Sequence, residues 1–357
     1  MPIDITLMAR SAGKTVVGLD IEPGYVAAVE TQPGRATVER AAASPLAAGV
    51  VRDGEVVDVA TLATTLREMF STHKLGKRVR IGLANQKIVM RTIDLPPLRD
   101  PKELESAVRF QAQDHIPMPL GQAVLEHQSL GLVDTPDGQR SRVVLVAARR
   151  DMVEHLLEAT RQAGLRPEGI DLSAFAMIRA LHRPAAVNGA GTLYLSIGGM
   201  TNLAVAVGPL CVFTRVIAAG SESMATELAE RRALTLEHAH GWLKHVGLLT
   251  RVAEIDGDPD IVSEAREVLL DGVNRIADEV RNTIDFHTMQ DGAAPVERAV
   301  VTGPAVSVPG FAEQLAQGIG LPLEIGLVQE ARPGAFGGID AGRLAVAAGL
   351  TMTEAPR

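Results

Sequence analysis

Two apolar strand–turn–strand patterns, about half a chain apart, most constrain how this sequence can fold. The first is GLDIEPGYVAAVE (Gly18–Glu30), and the second is TLYLSIGGMTNLAVAV (Thr192–Val207). Each contains an apolar strand, a short turn and a second apolar strand, and their alignment sets Asp20–Pro23 against Ser196–Gly199. The pattern predicts an α/β protein with a duplicated half; chance similarity between two apolar hairpins is the open alternative.

Composition limits both the architecture and the partners. A chain of 357 residues is too long for one ordinary core, so we expect two or more domains. Apolar residues make up 46% and aromatic residues only 3%, so the core should consist of Ala, Val, Leu and Ile. The net charge of −8 lacks the basic excess that a nucleic-acid-binding face needs, and no nucleic-acid partner is predicted.

Several features favour a cytoplasmic protein. Cys211 is the single cysteine, which is consistent with a reducing compartment. The first residues contain no apolar run of signal-peptide length. The most apolar stretch, Leu203–Phe213, includes Gly208 and Pro209 and is shorter than the about 20 residues that a membrane helix needs. We therefore expect a chain that reaches a membrane only through a partner.

Residues 90–170 read as a small inserted β-α-β-β-α unit. Asp100 is placed to cap its first helix, with Pro101 at the first helical position. The predicted elements are a strand ending before Pro96-Pro97, helix Lys102–His115, strands near Ala123–Leu132 and Arg142–Ala148, and a second helix capped by Asp151.

The first helix of this unit carries an unusual aromatic residue. Its apolar stripe should cover the unit's own sheet and consists of Leu104, Ala107, Val108 and Ala112. At about 100° per residue, Phe110 points away from this stripe and needs a second surface. That surface is either the neighbouring large subdomain or an extended peptide added to a sheet edge. We predict that Phe110 binds a partner, with packing between subdomains as the alternative.

Three longer segments carry a family pattern. They are RTIDLPPLRDPKELESAVRFQAQDHIPMPLGQAVLEHQSLG (Arg91–Gly131), FTRVIAAGSESMATELAERRALTLEHA (Phe213–Ala239) and GRLAVAAGL (Gly342–Leu350). Together they resemble the PilM family, the actin-like ATPases of type IV pilus assembly, over essentially the whole chain. The resemblance implies an actin-like ATPase fold of two ribonuclease-H-like halves with a small inserted domain of the 1C type.

The resemblance also implies how the chain divides and what it binds. PilM-type proteins are cytoplasmic scaffolds that bind the cytoplasmic N-terminal tail of PilN, an inner-membrane pilus protein, and hold ATP with Mg²⁺; self-association is a further expectation. The implied subdomains are 1–89 with 171–190, the insertion 90–170, 191–222 with 296–338, the helical part 223–295, and a closing helix in 339–357.

The implied nucleotide site uses both hairpin turns and later loops. Asp20 would orient Mg²⁺ through its waters, although an aspartate that caps a turn is an equally good interpretation. Glycines let a turn approach phosphates closely, and a lysine and a late loop would contact the nucleoside. The other implied binding residues are Gly24, Gly198, Gly199, Thr201, Lys244 and Gly303.

Four residues depart from the family pattern at this site: Glu22, Pro23, Ser196 and Pro304. Pro23 removes a backbone donor, and Glu22 brings a negative charge to the phosphates. We therefore expect weak ATP binding and negligible hydrolysis, with catalysis not the main role. The alternatives are an active ATPase, a sugar or acetate-type kinase, and an FtsA-like division protein. The FtsA-like family ends in an amphipathic membrane helix, whereas this sequence ends in TMTEAPR.

Overall fold

A computed structural model describes residues 16–98, 100–136, 138–183, 189–290 and 292–353. The N-terminal stretch and the end of the TMTEAPR tail lie outside these ranges. The first half opens with a hairpin and a third strand, and a helix then leads to the next strand of the sheet. Its elements are β1 (Val17–Glu22), β2 (Tyr25–Thr31), β3 (Val38–Pro45), β4 (Val51–Arg52), β5 (Glu55–Val56), α1 (Val59–His73) and β6 (Arg78–Leu83).

The insertion follows β6, and the chain then returns to the first half. Proline at the first position and Asp100 as N-cap start the insertion's helix, as their preferences predict. The elements are β7 (Val89–Leu95), α2 (Pro101–His115), β8 (Ala123–Thr135), β9 (Gly138–Arg149), α3 (Arg150–Gln162), β10 (Arg166–Leu172) and α4 (Ser173–Leu181).

The second half repeats the opening hairpin and adds a helical segment before its last strands. The elements are β11 (Gly191–Ile197), β12 (Thr201–Val207), β13 (Leu210–Ile217), α5 (Ser221–Arg232), α6 (Leu236–Val246), α7 (Pro259–Thr288), β14 (Val296–Thr302), α8 (Phe311–Ile319), β15 (Leu323–Ile325) and α9 (Ala345–Leu350).

The two halves contain five-stranded sheets with the same plan. The first sheet has the order β10-β6-β1-β2-β3, and the second, taken in the same direction, has β15-β14-β11-β12-β13. In both, the two hairpin strands and the strand that follows them pair antiparallel, and two further strands pair parallel on the other side of the first hairpin strand. The sequence similarity of the two hairpins therefore reflects a duplicated architecture and not chance.

Helices α4 and α9 lie between the two sheets. Apolar residues of both helices share one buried core with β2 of the first half and with β11 and β12 of the second. The packing is close because the facing residues are small: Gly349 lies against the backbone of Ala176, and Gly18 lies against that of Ala347. This shared core fixes the orientation of the two halves and so positions the turns at the cleft between them.

The insertion contains a three-stranded antiparallel sheet of order β7-β9-β8, covered by α2. Val108 and Ala112 are buried against this sheet, and Leu104 and Ala107 pack beside them, as predicted. Helix α3 instead packs in the core of the first half, together with α1 and β10. The subdomain limits given above stay a prediction.

Candidate functional site

The turns of the β1–β2 and β11–β12 hairpins meet at the junction of the two halves. Pro23 and Gly24 form the first turn, and Gly24 has a φ of +87°, which glycine adopts without strain. In the second turn the carbonyl of Gly198 accepts hydrogen bonds from the backbone N–H and the hydroxyl of Ser221, at 2.8 and 2.9 Å. The start of α5 is thereby attached to the turn.

The two turns contact each other directly through Glu22. The backbone N–H of Gly199 donates a hydrogen bond of 2.8 Å to Glu22 Oε2. Close approach depends on glycine, because a Cβ at position 198 would lie 2.1 Å from the same oxygen and a Cβ at position 199 would lie 2.2 Å from the carbonyl oxygen of Pro23. Glu22 therefore links the first half of the molecule to the second.

Two further side chains hold Glu22 in place. The hydroxyl of Tyr25 hydrogen-bonds to its carboxylate, and the guanidinium of Arg343 lies over the Tyr25 ring. Burial raises the pKa of Glu22 to about 7, against the opposing effects of the Gly199 N–H, the Tyr25 hydroxyl and the charge of Arg343. Burial, and then the charge of Glu22, also raises the pKa of Tyr25.

Asp20 lies on β1, two residues before Glu22, and its carboxylate is next to Gly82. It is buried, and burial and then the charge of Glu22 raise its pKa well above the usual value. Asp20 and Glu22 thus form a pair of buried carboxyl groups. Within the described ranges, no group of three or more histidine, cysteine, aspartate or glutamate residues is placed to hold a metal ion.

The other predicted nucleotide residues are brought near the junction, but several are already bound to the protein. The Thr201 hydroxyl donates to the carbonyl of Ala219 at 2.7 Å, and the N–H of Gly303 donates to the carbonyl of Gly342 at 3.1 Å. Gly24 lies against the carboxylate of Glu222. Lys244 lines a separate cavity of about 160 Å³, beside Pro304 and Arg343.

A larger cavity of about 550 Å³ opens beside the turns. Its apolar walls include Tyr25, Leu46 and Ile339, and its polar walls carry more acidic than basic groups. A hydrogen bond of 3.0 Å joins Glu222 Oε2 and His240 Nε2. The ionisable residues lining it are Glu222, Glu237, His240, Asp340 and Arg343.

The donors and charges at the two hairpin turns determine whether a phosphate can bind there. A phosphate bound between two turns accepts hydrogen bonds from their backbone N–H groups and is stabilised by positive charge. Here the N–H of Gly199 donates to Glu22, the N–H of Gly198 donates to the carbonyl of Met200, and two buried carboxyl groups lie behind them. As arranged, the two turns do not fit a phosphate.

Sequence reasoning missed three residues of this site. Tyr25, Glu222 and Arg343 were not predicted, although each lies inside a segment that the sequence analysis singled out. Arg343 had the clearest signal, because it is a single charged residue at the start of the apolar run RLAVAAGL. A charged residue in such a run usually has a specific partner.

Phe110 defines a second candidate site, on the insertion. Phe110 is 68% exposed, so it does not pack between subdomains, and that alternative is wrong. The nearby sheet has β7 and β8 at its edges, and an edge strand can pair with an extended peptide. An exposed aromatic residue on the helix that covers this sheet is a suitable anchor for such a peptide.

The paired sheets, the hairpin turns at a central cleft and the insertion define an actin-like ATPase fold. A family model described as type IV pilus assembly protein PilM matches residues 18–331. The chain belongs to this PilM family. Within the described part of the chain, no helix combines the length and apolarity that crossing a membrane requires.

Solved structures agree with this assignment. The chain is similar to a structure described as a PilM–PilN type IV pilus biogenesis complex, with 26% identity, a TM-score of 0.76, and coverage of 94% of this chain and 97% of that one. It also resembles the ethanolamine utilization protein EutJ from Carboxydothermus hydrogenoformans (16% identity, TM-score 0.54, coverage 97% and 92%). It resembles MreB5 of Spiroplasma citri bound to ADP as well, with 15% identity, a TM-score of 0.51 and coverage of 94% of each chain. The last two likenesses concern the fold alone.

Proposed function

We propose that this protein is a scaffold of type IV pilus assembly that binds the cytoplasmic N-terminal tail of a PilN-like inner-membrane protein. Membership of the PilM family and the likeness to a PilM–PilN complex support the partner. The protein would be cytoplasmic and would lie at the inner face of the membrane through this partner. The observation that carries the placement of the tail is the exposed Phe110 on α2, the helix that covers the small sheet.

In this proposal the tail docks on the insertion and not in the cleft. Its main chain pairs with an edge of the β7-β9-β8 sheet, and an apolar side chain contacts Phe110. The cleft contributes little catalysis: it binds ATP with Mg²⁺ weakly, because Glu22 is already bound to the Gly199 N–H and Pro304 occupies the late loop. Any ATPase activity is weak and secondary.

Fractionation of cells tests this function. The protein should be recovered with membranes when its PilN-like partner is present and should remain in the supernatant when the partner lacks its cytoplasmic tail. A deletion of the same length elsewhere in the partner is the control. Recovery with membranes in the absence of any partner would contradict the proposal.

A further inference from the structure

The position of Glu22 determines whether the cleft can offer the Gly199 N–H to a ligand. A backbone N–H in a glycine turn is a preferred donor for anionic oxygens. At 2.8 Å the Gly199 N–H makes a full hydrogen bond to Glu22 Oε2, so a second acceptor would have to displace the carboxylate. The donor belongs to the second half of the molecule, and the acceptor belongs to the first. This is the arrangement that a bridging phosphate would otherwise make.

We infer that the Glu22 carboxylate takes the place of a phosphate in the cleft, joins the two halves without a nucleotide and excludes phosphate-bearing ligands from the turns. The inference extends the weak nucleotide binding proposed above by assigning it to one residue. Glu22 is therefore the residue that keeps a phosphate from the turns, because it occupies the Gly199 N–H.

The surrounding structure is built for this carboxylate. Gly198 leaves room for it, since a Cβ there would lie 2.1 Å from Oε2. Tyr25 donates its hydroxyl, and Arg343 lies over the Tyr25 ring and supplies the positive charge. A cation that a phosphate could otherwise use is thus placed beside Glu22 and the Tyr25 ring.

The acidic lining of the adjoining cavity also disfavours phosphate-bearing ligands. Glu222, Glu237 and Asp340 line it, while the single arginine among its lining residues is Arg343. Like charges repel most strongly where water is scarce. A triphosphate that entered this cavity would meet three carboxylates before it reached the turns.

Two substitutions of Glu22 separate the effect of occupying the Gly199 N–H from the effect of the negative charge. Glu22→Ser removes both the acceptor and the charge, so it frees the Gly199 N–H. Glu22→Gln removes the charge but keeps an amide oxygen that can accept the same hydrogen bond. Tyr25→Phe keeps the ring under Arg343 and removes the hydroxyl that holds Glu22, so its effect should lie between the two.

The test is titration of the full chain with ATP–Mg²⁺ by calorimetry at pH 8, where Glu22 is mostly ionised. Glu22→Ser should bind ATP at least about tenfold more tightly than the wild type, the scale of one hydrogen bond to a charged group, and Glu22→Gln should change affinity less than about twofold. Circular dichroism checks that each variant is folded. Unchanged affinity in Glu22→Ser, equal gains in both variants, or submicromolar binding by the wild type would each overturn the inference.

Amide hydrogen exchange of the wild type gives a second measurement that needs no variant. The Gly199 amide should be protected in the ligand-free protein, and saturating inorganic pyrophosphate with Mg²⁺ should add no further protection. Fast exchange at Gly199 that pyrophosphate slows would show a free donor and contradict the inference. Failure of the wild type to bind the partner's tail, by contrast, would count against the proposed function. It would leave the titration and exchange results unaffected.

Discussion

The guanidinium carbon of Arg343 lies 4.3 Å from the centroid of the Tyr25 ring. Arg343 belongs to the 3₁₀ turn Ala341–Leu344, near the end of the described chain, and Tyr25 opens β2, near its beginning. The contact ties the C-terminal segment to the hairpin that carries Glu22. It also places a positive charge where it favours the ionised form of Glu22.

Replacing Arg343 with alanine should raise the pKa of Glu22 above about 7, because the charge that lowers it is lost. Stability should fall by about 1 kcal/mol through loss of the contact with the Tyr25 ring. Carbon-13 NMR titration of labelled glutamate side chains measures the pKa. Arg332→Ala, an exposed arginine of the same C-terminal segment, is the control. An unchanged Glu22 pKa in Arg343→Ala would show that Arg343 has no electrostatic role.

Stability should depend on pH through Glu22. Its pKa is about 7 in the folded chain and about 4.5 when unperturbed, so between these values the unfolded chain has released a proton that the folded chain retains. The contribution of Glu22 to the free energy of unfolding must therefore fall as pH rises from about 4.5 to about 7, and level off above that. Asp20, whose pKa is also raised, contributes with the same sign.

Glu22→Gln isolates this contribution. The difference in unfolding free energy between pH 5 and pH 8, measured by urea denaturation, should be smaller in the variant by on the order of 2 kcal/mol. Glu39→Gln, which removes an exposed carboxylate of β3, should behave like the wild type. Identical pH profiles for Glu22→Gln and the wild type would contradict the buried position of the Glu22 carboxylate.

The close packing of α9 on α4 should tolerate no added methyl group. A Cβ at Gly349 would lie 1.8 Å from the carbonyl oxygen of Ala176, so Gly349→Ala should destabilise the protein by about 1–3 kcal/mol. Gly241, in α6, has no atom within 4 Å of a Cβ, and Gly241→Ala should stabilise by about 0.5–1 kcal/mol. Urea denaturation of both variants decides. If Gly349→Ala were as stable as Gly241→Ala, the two helices would not pack as described.

Local sequence signals predicted the elements well. Asp100 and Pro101 determine the start of α2, which was predicted as Lys102–His115 and begins one residue earlier. Asp151 was predicted to cap α3, but the helix begins at Arg150, and the Asp151 carboxylate pairs with Arg149 and accepts the N–H of Met152. A neighbouring arginine at the end of β9 thus competes for a group that sequence alone assigns to capping.

The candidate site was harder to predict because its key contact joins distant parts of the chain. Glycines 198 and 199 could be recognised as a turn, and Glu22 as a residue unfavourable to phosphate. The direct bond between Glu22 and Gly199 depends on how α4 and α9 orient the halves. No local pattern encodes that orientation. The outward orientation of Phe110 could be predicted, because its position opposite the apolar stripe follows from helical periodicity.

A matched pair of variants tests most directly whether the insertion binds the partner's tail. Phe110→Ala and Phe286→Ala each remove an aromatic ring from an exposed residue. Phe110, in α2 of the insertion, is 68% exposed, and Phe286, in α7 of the second half, is 60% exposed. Fluorescence anisotropy with a labelled peptide of the PilN-like N-terminal tail gives the affinity of each folded variant.

Phe110→Ala should weaken tail binding by roughly 1 kcal/mol or more, which is the scale of an interface anchor, while Phe286→Ala leaves it unchanged. Equal affinity of Phe110→Ala and the wild type for the tail peptide would contradict the proposed docking site.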